Sequence, residues 1–600
     1  MVRAKKSQMD ITRTFDILEN LKNFSPKEDI LARKSGGIWH KVSIEQYIEK
    51  SHLVAYGLLA LGYGPDTKVI SICNNRPEWN FVDMGVNLAH MVHVPVYPTL
   101  SHDDFLHIFT DSDAQVIFVG TPALYKKIAP IAEEIDRDIQ IILMDDSDTT
   151  FCMSQFYALG EENREKFAPI VEQNKAAIGK DECCSIIYTS GTTGVPKGVM
   201  LSHYNLMFNA YGHSLRQTKD SSCRMLSFLP LCHVYERTMN YEFQMLGISI
   251  YYAESLATIA ADLKSCQADG FCSVPRVLEM MYGKLEAAGK QLKGIKRVIY
   301  NFAWAFANKY NFNKSSAWTE TVRNIYDKLV YSKWRENLGG KEMLIVSGGS
   351  SIQGRILNTF NAAKLYIFEG YGMTEASPVI AVNSPADKIN VVGTVGLPLK
   401  GTELSFAEDG EILTRGPHVM LGYYKNPEAT SQIIDSEGWL HTGDIGCLDE
   451  RGCLKITDRK KEIFKLSAGK YVAPQVIETR LKESPYIEQA LVIGENQKFA
   501  SALIIPQIDK LKSFAKSRRI SVKDEALLLE HPAIQRLLQN EVKKVNAGLA
   551  AHEQIKRQHF IIDEWTPTNG MLSQTLKLKR RNIMAKYADV IAEIYKADEK

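Results

Sequence analysis

At 600 residues the chain is too long for one hydrophobic core, so two or more domains are expected. Its 45% hydrophobic and 24% charged residues are ordinary for a soluble globular enzyme. A formal net charge of +2 argues against nucleic acid as the principal partner.

The ten cysteines fall at no Cys-x-x-Cys spacing, which predicts reduced thiols in a cytoplasmic protein, with neither a zinc ribbon nor a disulfide framework. The first residues, Met1 to Gln8, lack the apolar region of a signal peptide, and no apolar run reaches the length of a transmembrane helix. The expectation is a cytoplasmic chain, with peripheral contact to a membrane left open. Oligomeric state is not legible.

In chain order, a polar arm leads to Ile38–Val42 and a helical run from Ser43, marked by Leu53, Val54, Leu58 and Leu61. Lys68–Ile72 reads as a buried strand, Pro77 to Leu88 as a helix, and Val92–Val96 and Gln115–Val119 as further strands. Strands alternating with helices predict βαβ units and a largely parallel sheet, whose ligands lie at the carboxyl ends of strands. A short apolar run, Cys184–Ile187, predicts another buried strand. A second α/β stretch covers about 200–380, with a mostly helical part at 279–340 that either packs on the body or offers a membrane or partner face. From 391 to 457, short strands between Gly and Asp-Gly turns suggest a small β-rich subdomain. After Asp458 the pattern resets to a compact α/β module, with strands near 489–494 and 501–506 and a basic end at Lys577, Lys579, Arg580 and Arg581.

The densest chemistry lies in Tyr188-Thr189-Ser190-Gly191-Thr192-Thr193-Gly194-Val195-Pro196-Lys197-Gly198. Glycines bring backbone N–H groups close to an anion, Ser and Thr hydroxyls add donors, and Lys197 adds a mobile positive charge. That is equipment for a polyphosphate, although a Gly/Thr-rich surface turn has the same composition. It is not a Walker A loop, because Pro196 precedes Lys197 and Gly198 follows it. Leu229-Pro230-Leu231-Cys232-His233 places a histidine beside apolar residues, where a core histidine is the plainer reading. Ser347-Gly348-Gly349-Ser350-Ser351 follows a strand; its small residues permit close approach of a flat ring, and a β–α turn explains them equally well. Three acidic or polar groups follow at Glu369-Gly370-Tyr371-Gly372-Met373-Thr374-Glu375, Thr442-Gly443-Asp444 and Asp458-Arg459-Lys460-Lys461-Glu462.

The order T-S-G-T-T-G-x-P-K-G resembles the phosphate-binding signature of the adenylate-forming (acyl-adenylate synthetase) superfamily, and the other groups resemble its further motifs in the family's order, over roughly residues 40–590. The resemblance implies an α/β fold with a large N-terminal part, made of two α/β subdomains plus a small β-barrel, and a mobile α/β C-terminal lid. The boundary is expected after 459, giving an N-terminal AMP-binding domain at 1–459, with the helical insertion at about 279–340, and a lid at 460–600.

Residue by residue, it implies ATP or AMP contacts from Thr189, Ser190, Gly191, Thr192, Thr193, Gly194 and Lys197. Others come from Gly349 and Ser350, and from Glu369, Gly370, Tyr371, Gly372 and Thr374. Glu375 would hold Mg²⁺. His233 would line the pocket for the carboxylate substrate. Asp444 would accept the ribose hydroxyls, with Arg459 a second nucleotide contact and Lys461 at the hinge. Gly469 and Lys470 would lie on the path of the thiol of coenzyme A. The run Leu572-Ser573-Gln574-Thr575-Leu576-Lys577-Leu578-Lys579-Arg580 aligns with the C-terminal lysine motif. There Leu576 replaces the usual glycine, so Lys577 is taken as the adenylation lysine with Lys579 the other register. Lys577, Lys197, Thr374 and Glu375 would then be the catalytic group.

The wording DRKKEIFKLSAGKYVAP and TLKLKR, with the length and the helical insertion, looks like long-chain fatty acid–CoA ligases, the AMP-forming acyl-CoA synthetases. The implied substrates are a fatty acid, ATP and CoA. Two other functions stay open: an adenylating enzyme that loads a carrier protein, and a nucleotide- or acyl-binding protein without catalysis.

Overall fold

The computed structural model describes residues 11–190, 195–460, 462–520, 524–566, 569–573 and 577–596, with the side chain of Ser190 left aside. The chain divides into two compact units. One comprises Met1–Ser405, Leu413–His441 and Glu450–Leu454; the other comprises Phe406–Ile412, Thr442–Asp449 and Lys455–Lys600.

The first unit is built on two sheets. One runs in the order Gly422–Tyr423, Pro196–Ser202, Cys183–Ser190, Val92–Val96, Lys68–Ile72, Val116–Val119, Gln140–Leu143. Its inner strands are parallel, as the alternation of strands and helices predicts. On either side of Gly191–Gly194, which lie outside the described residues, the glycine-rich segment is strand. Thr189 pairs with Lys197 and Ser190 with Pro196 in an antiparallel ladder that continues to Ser202. The reason is the burial of Val199 and Leu201, which alternate into the sheet and pull the glycine-rich segment into register.

The other sheet runs Leu397–Pro398, Val379–Val382, Leu365–Gly372, Met343–Ser347, Gly270–Ser273, Arg224–Ser227, Ser249–Tyr252, Leu31–Ser35, Ile38–Val42. Its last two strands come from the N-terminus, far from the 200–380 stretch that supplies the centre. Leu31–Ser35 lies parallel to Ser249–Tyr252 and carries Ile38–Val42 as an antiparallel edge. The following helix, Ile44–Ala60, starts at a capping box in which the Ser43 hydroxyl accepts from the Gln46 N–H and the Gln46 side chain accepts from the Ser43 N–H.

A buried ionic cluster ties these elements together. Helix Pro77–Leu88 carries Asp83 and helix Val234–Met245 carries Arg237, and both side chains are fully buried. Arg237 donates to Asp83 at 2.5 Å, to the Ser185 hydroxyl at 2.5 Å and to Tyr241 at 2.8 Å. His93 and the Tyr241 hydroxyl also meet the Asp83 carboxylate, and the other ring nitrogen of His93 meets Ser71 at 2.7 Å. Although burial alone would raise it, Arg237 and His93 hold the Asp83 carboxyl below its ordinary value. Burial keeps His93 neutral by lowering its pKa.

In the second unit, strands Ile487–Ile493, Ala500–Pro506 and Ile555–Phe560 form a sheet. The first pair is antiparallel and the second parallel. Ile477 and Leu481 from helix Pro474–Lys482, and Val542 from helix Pro532–Asn546, pack against Val492, Ala502 and Ile504. Among the described residues no helix is long and apolar enough to cross a membrane.

Removing one partner of the buried pair should cost far more than removing both. Arg237→Met is expected to lower stability by about 3–5 kcal/mol, because Asp83 is left charged without its main counter-ion. The double variant Asp83→Asn/Arg237→Met should recover a measurable part of that loss in urea unfolding. Additive losses would show that the two side chains do not act as a pair.

Candidate functional site

Within the first unit the expected phosphate-binding residues gather around the hairpin. Gly191, Thr192, Thr193 and Gly194 lie outside the described residues, while Thr189 and Lys197 face each other across its last rungs. Gly198 is required by close packing: a Cβ there would sit 2.7 Å from Cγ2 of Ile186. On the far side of Pro196–Ser202, the short strand Gly422–Tyr423 pairs antiparallel, Tyr423 opposite Val199. That pairing carries Tyr423 to Lys197, whose Nζ lies 5.2 Å from the centre of its ring. The Tyr423 hydroxyl donates to Oε1 of Glu375 at 2.8 Å, and the Met420 N–H donates to the Glu375 carbonyl. One tyrosine thus touches the lysine with its ring and the carboxylate with its hydroxyl. Burial, reinforced by Glu375, raises the pKa of the phenol, so it remains a donor. Sequence reasoning missed Tyr423, because its link to both partners runs through sheet pairing and leaves no spacing signal.

The Glu369–Glu375 segment ends strand Leu365–Gly372 and turns into Thr374–Ala376, a single 3₁₀ turn. Gly372 admits no side chain, since a Cβ would fall 1.8 Å from the Pro378 carbonyl oxygen. Thr374 is buried, while Tyr371 and Glu375 are half-buried. Ser347 of the neighbouring parallel strand is in register with Glu369, so the exposed Gly349 and Ser350 continue from the same sheet end as Gly370 and Tyr371. Glu369 points inward, accepts the Ile352 N–H at 2.9 Å, and burial pushes its carboxyl up to about 7. Of these residues it is therefore the least suited to a direct polar contact with solvent-facing ligand atoms.

His233 caps helix Val234–Met245: its Nδ1 accepts the Tyr235 N–H at 3.2 Å, and the ring is half-buried. Tyr235 donates to the Val346 carbonyl at 2.9 Å, which joins this helix start to the Met343–Ser347 strand end. Glu236 behind it is fully buried. Its Oε1 accepts from Ser227 at 2.6 Å, its Oε2 meets no partner, and burial pushes the carboxyl up to about 8. The helix start bearing His233 and the ends of Met343–Ser347 and Leu365–Gly372 thus converge at the carboxyl edge of one parallel sheet, where ligands of such sheets bind.

The second unit holds the remaining residues. Asp444 is buried and accepts from Nε of Arg459 at 3.1 Å, so these two predicted nucleotide contacts meet. Lys461 lies outside the described residues; Lys460 before it pairs with Asp409 and Glu411 at 2.6 and 2.8 Å. Gly469, with φ +80°, and Lys470 form the exposed tip of the hairpin between Phe464–Lys465 and Tyr471–Val472. Lys577 is exposed, with its N–H donating to the Ser573 hydroxyl at 3.0 Å and its carbonyl accepting the Ser573 N–H at 2.7 Å. Lys579 is exposed too, and Leu578 between them packs inward. The geometry leaves both lysine registers open. Arg580, the next residue, donates to Glu462 at 2.8 Å and Glu478 at 2.6 Å, a tether that the basic run in the sequence did not reveal.

The profile of the AMP-binding enzyme family matches residues 22–424, and that of the AMP-binding enzyme C-terminal domain matches 461–599. The chain is 30% identical over 580 residues to "Long-chain-fatty-acid--CoA ligase FadD15" of Mycobacterium bovis, covering 95% of each chain. It is 30% identical over 607 residues to "Long-chain-fatty-acid--CoA ligase 5" of Rattus norvegicus, covering 94% of this chain and 86% of that one. Among solved structures, the A domain of a carboxylic acid reductase from Segniliparus rugosus, with AMP and a co-purified carboxylic acid, superposes with a TM-score of 0.74 at 19% identity, over 99% of this chain and 96% of that one. The fold is the adenylate-forming one, a large N-terminal α/β part followed by a small C-terminal α/β part.

The raised carboxyls have a measurable consequence. In the folded chain Glu369 and Glu236 keep their protons to about 7 and about 8, against 4.5 when unperturbed. Between those values the native state binds more protons than the unfolded one. The stability they contribute is therefore complete below 4.5 and lost as pH rises through their folded pKa values. Glu236→Gln and Glu369→Gln should match the wild type in melting temperature near pH 5 and exceed it near pH 9. A difference that stays constant with pH would show that both carboxyls are ionised in the fold.

Proposed function

Because the chain belongs to the AMP-binding enzyme family, we propose that it joins a long-chain fatty acid to coenzyme A through an acyl-adenylate, releasing AMP and pyrophosphate. The observation that carries the choice of substrate is the 30% identity over nearly the full chain to ligases of long-chain fatty acids. The contact of Tyr423 with both Lys197 and Glu375 supports the adenylating step.

In that step a carboxylate oxygen of the acid attacks the α-phosphorus of ATP, and the bond to the β-phosphate breaks to release pyrophosphate. Two anions must approach, so positive charge at the polyphosphate is the first requirement. Lys197 would supply it from the hairpin, with Thr189, Ser190 and the Gly191–Gly194 backbone as donors. Thr374 would donate to the α-phosphate, and Gly349, Ser350, Gly370, Tyr371 and Gly372 would frame the adenine. Asp444 would accept the ribose hydroxyls with Arg459 beside it. His233, at the N-terminus of its helix, would border the acid.

Mg²⁺ fits the donor set. It favours one or two carboxylates plus phosphate oxygens over an all-protein cage. Glu375 offers a half-buried carboxylate held by Tyr423, and the described residues hold no cluster of three metal-ligating side chains. Bound there, Mg²⁺ would neutralise charge on the phosphates.

We place the boundary between the two domains after 459, with Lys461 as hinge. Lys577 would assist adenylation, and the tip at Gly469 and Lys470 would serve the second step. There the thiol of CoA attacks the acyl carbonyl, the thiol proton is lost, and AMP leaves as the carbon–oxygen bond of the mixed anhydride breaks.

Pyrophosphate release with ATP·Mg²⁺ and straight-chain acids from acetate to stearate, with and without CoA, tests the reading. Strong turnover with the long acids that needs CoA is expected. Release without CoA consumption would assign the chain to carrier-protein loading, and no release with any acid would make it a binding protein. Lys577→Ala should slow adenylation at least about 100-fold while sparing thioester formation from supplied acyl-AMP. The same pattern in Lys579→Ala instead would move the lysine register by two. Tyr423→Phe should raise the Mg²⁺ needed for half-maximal rate about 10-fold, since it frees Glu375 from its donor. An unchanged Mg²⁺ requirement would remove Glu375 from the metal.

A further inference from the structure

The segment that carries Lys577 and Lys579 is held to the second unit's sheet by apolar contact. Leu572 and Ile583 are buried in one cluster with Leu491 and Leu503, and Leu578 packs against it. The Lys579 N–H donates to the Met571 carbonyl at 2.9 Å, and Leu572 and Leu578 form an antiparallel bridge. Packing of this kind fixes how deep the segment sits but tolerates small slides along the sheet.

Arg580, three residues after Lys577 and one after Lys579, adds direction. Its side chain is only 19% exposed, and its three nitrogens go to three elements. Nε donates to Oε2 of Glu462 at 2.8 Å, Nη2 to Glu478 on helix Pro474–Lys482 at 2.6 Å, and Nη1 to the Val492 carbonyl on strand Ile487–Ile493 at 3.3 Å. The same Glu462 oxygen accepts from Gln475 of that helix at 2.8 Å. Burial alone would raise the Glu462 carboxyl; the Arg580 charge beside it holds it below its ordinary value. A guanidinium presents its donors in a fixed planar fork, so all three acceptors are met in one orientation only.

Glu462 is also the end of a second set of contacts. Its N–H donates to the Arg459 carbonyl at 2.9 Å, and its Oε1 lies 4.0 Å from the Arg459 guanidinium. Arg459 in turn meets Asp444 at 3.1 Å. Asp444, Arg459, Glu462 and Arg580 thus form a line of alternating charge. It runs from the expected ribose contact to the residue beside the lysines, and every member lies in the second unit.

We propose that Arg580 is a positioning residue for adenylation: through Glu462 it holds the lysine segment in a fixed relation to Asp444 and Arg459. The proposal rests on the adenylating function given above, and it holds for either lysine register because Arg580 follows both. A charged group that assists phosphoryl chemistry must be held within about 0.5 Å of its working place, and a misplacement of about 1 Å can cost 100-fold. Thioester formation does not call on the lysine, so the line of charge matters to the first half-reaction alone.

The test separates the two halves. Exchange of labelled pyrophosphate into ATP with palmitate and Mg²⁺ reads adenylation, and palmitoyl-AMP supplied with CoA reads thioester formation. Glu462→Ala cuts the line but leaves the pair of Arg580 with Glu478. It should lower exchange at least about 10-fold, with thermal unfolding and thioester formation unchanged. Arg580→Ala/Glu478→Gln, which leaves no carboxylate of Glu478 buried without its partner, should show the same split. Arg580→Lys should lower exchange as well, because one ammonium cannot serve three acceptors in three directions. Adding Glu462→Ala to it should give no further loss beyond the slower single variant, since both break one link. Exchange at the wild-type rate in Glu462→Ala, or both half-reactions falling together, would overturn the proposal. A wild-type chain without any exchange would instead overturn the adenylating function, and the proposal with it.

Discussion

Arg237 and Asp83 meet out of reach of water, and neither charge is tolerable there without the other. Their pairing constrains much more than two side chains. Ser185 sits on the strand that runs on to Thr189 and Ser190, and its hydroxyl accepts from Arg237 while donating to the His93 carbonyl. Arg237 lies one turn after His233, on the helix whose start borders the carboxyl edge of the other sheet. The cluster therefore fixes the hairpin of Cys183–Ser190 and Pro196–Ser202 in one sheet against the helix start of the other. A small error in that register would leave a charge or a hydroxyl buried without a partner, so the two sheets have one permitted relation. Apolar packing could not enforce that so sharply, because it tolerates small slides that a hydrogen-bonded ion pair does not.

The same economy of charge governs Lys197, Tyr423 and Glu375. A lysine and a carboxylate in direct contact would neutralise each other and leave little field for an anion. Here a phenol stands on both: its ring faces the ammonium and its hydroxyl holds the carboxylate. Burial of that phenol, with its raised pKa, keeps the hydrogen bond intact at neutral pH. Each charge is thus oriented by a neutral group and remains available to a ligand.

Much of this was legible from sequence because the informative residues are those the backbone itself demands. Gly372 and Gly198 mark places where a Cβ collides with neighbouring atoms, and Val92–Val96 and Met343–Val346 announce themselves as apolar runs bounded by turn residues. What stayed hidden depends on pairing between segments distant in the chain. Tyr423 reaches Glu375 across 48 residues because Gly422–Tyr423 adds to the edge beside Pro196–Ser202. Leu31–Ser35 crosses to the second sheet, and Arg580 reaches Glu462 across 118 residues. Local periodicity carries no information about such partners. The strand Pro196–Ser202 stayed hidden for another reason: Pro196 and Gly198 mask it, and its evidence is the buried alternation of Val199 and Leu201 just beyond them.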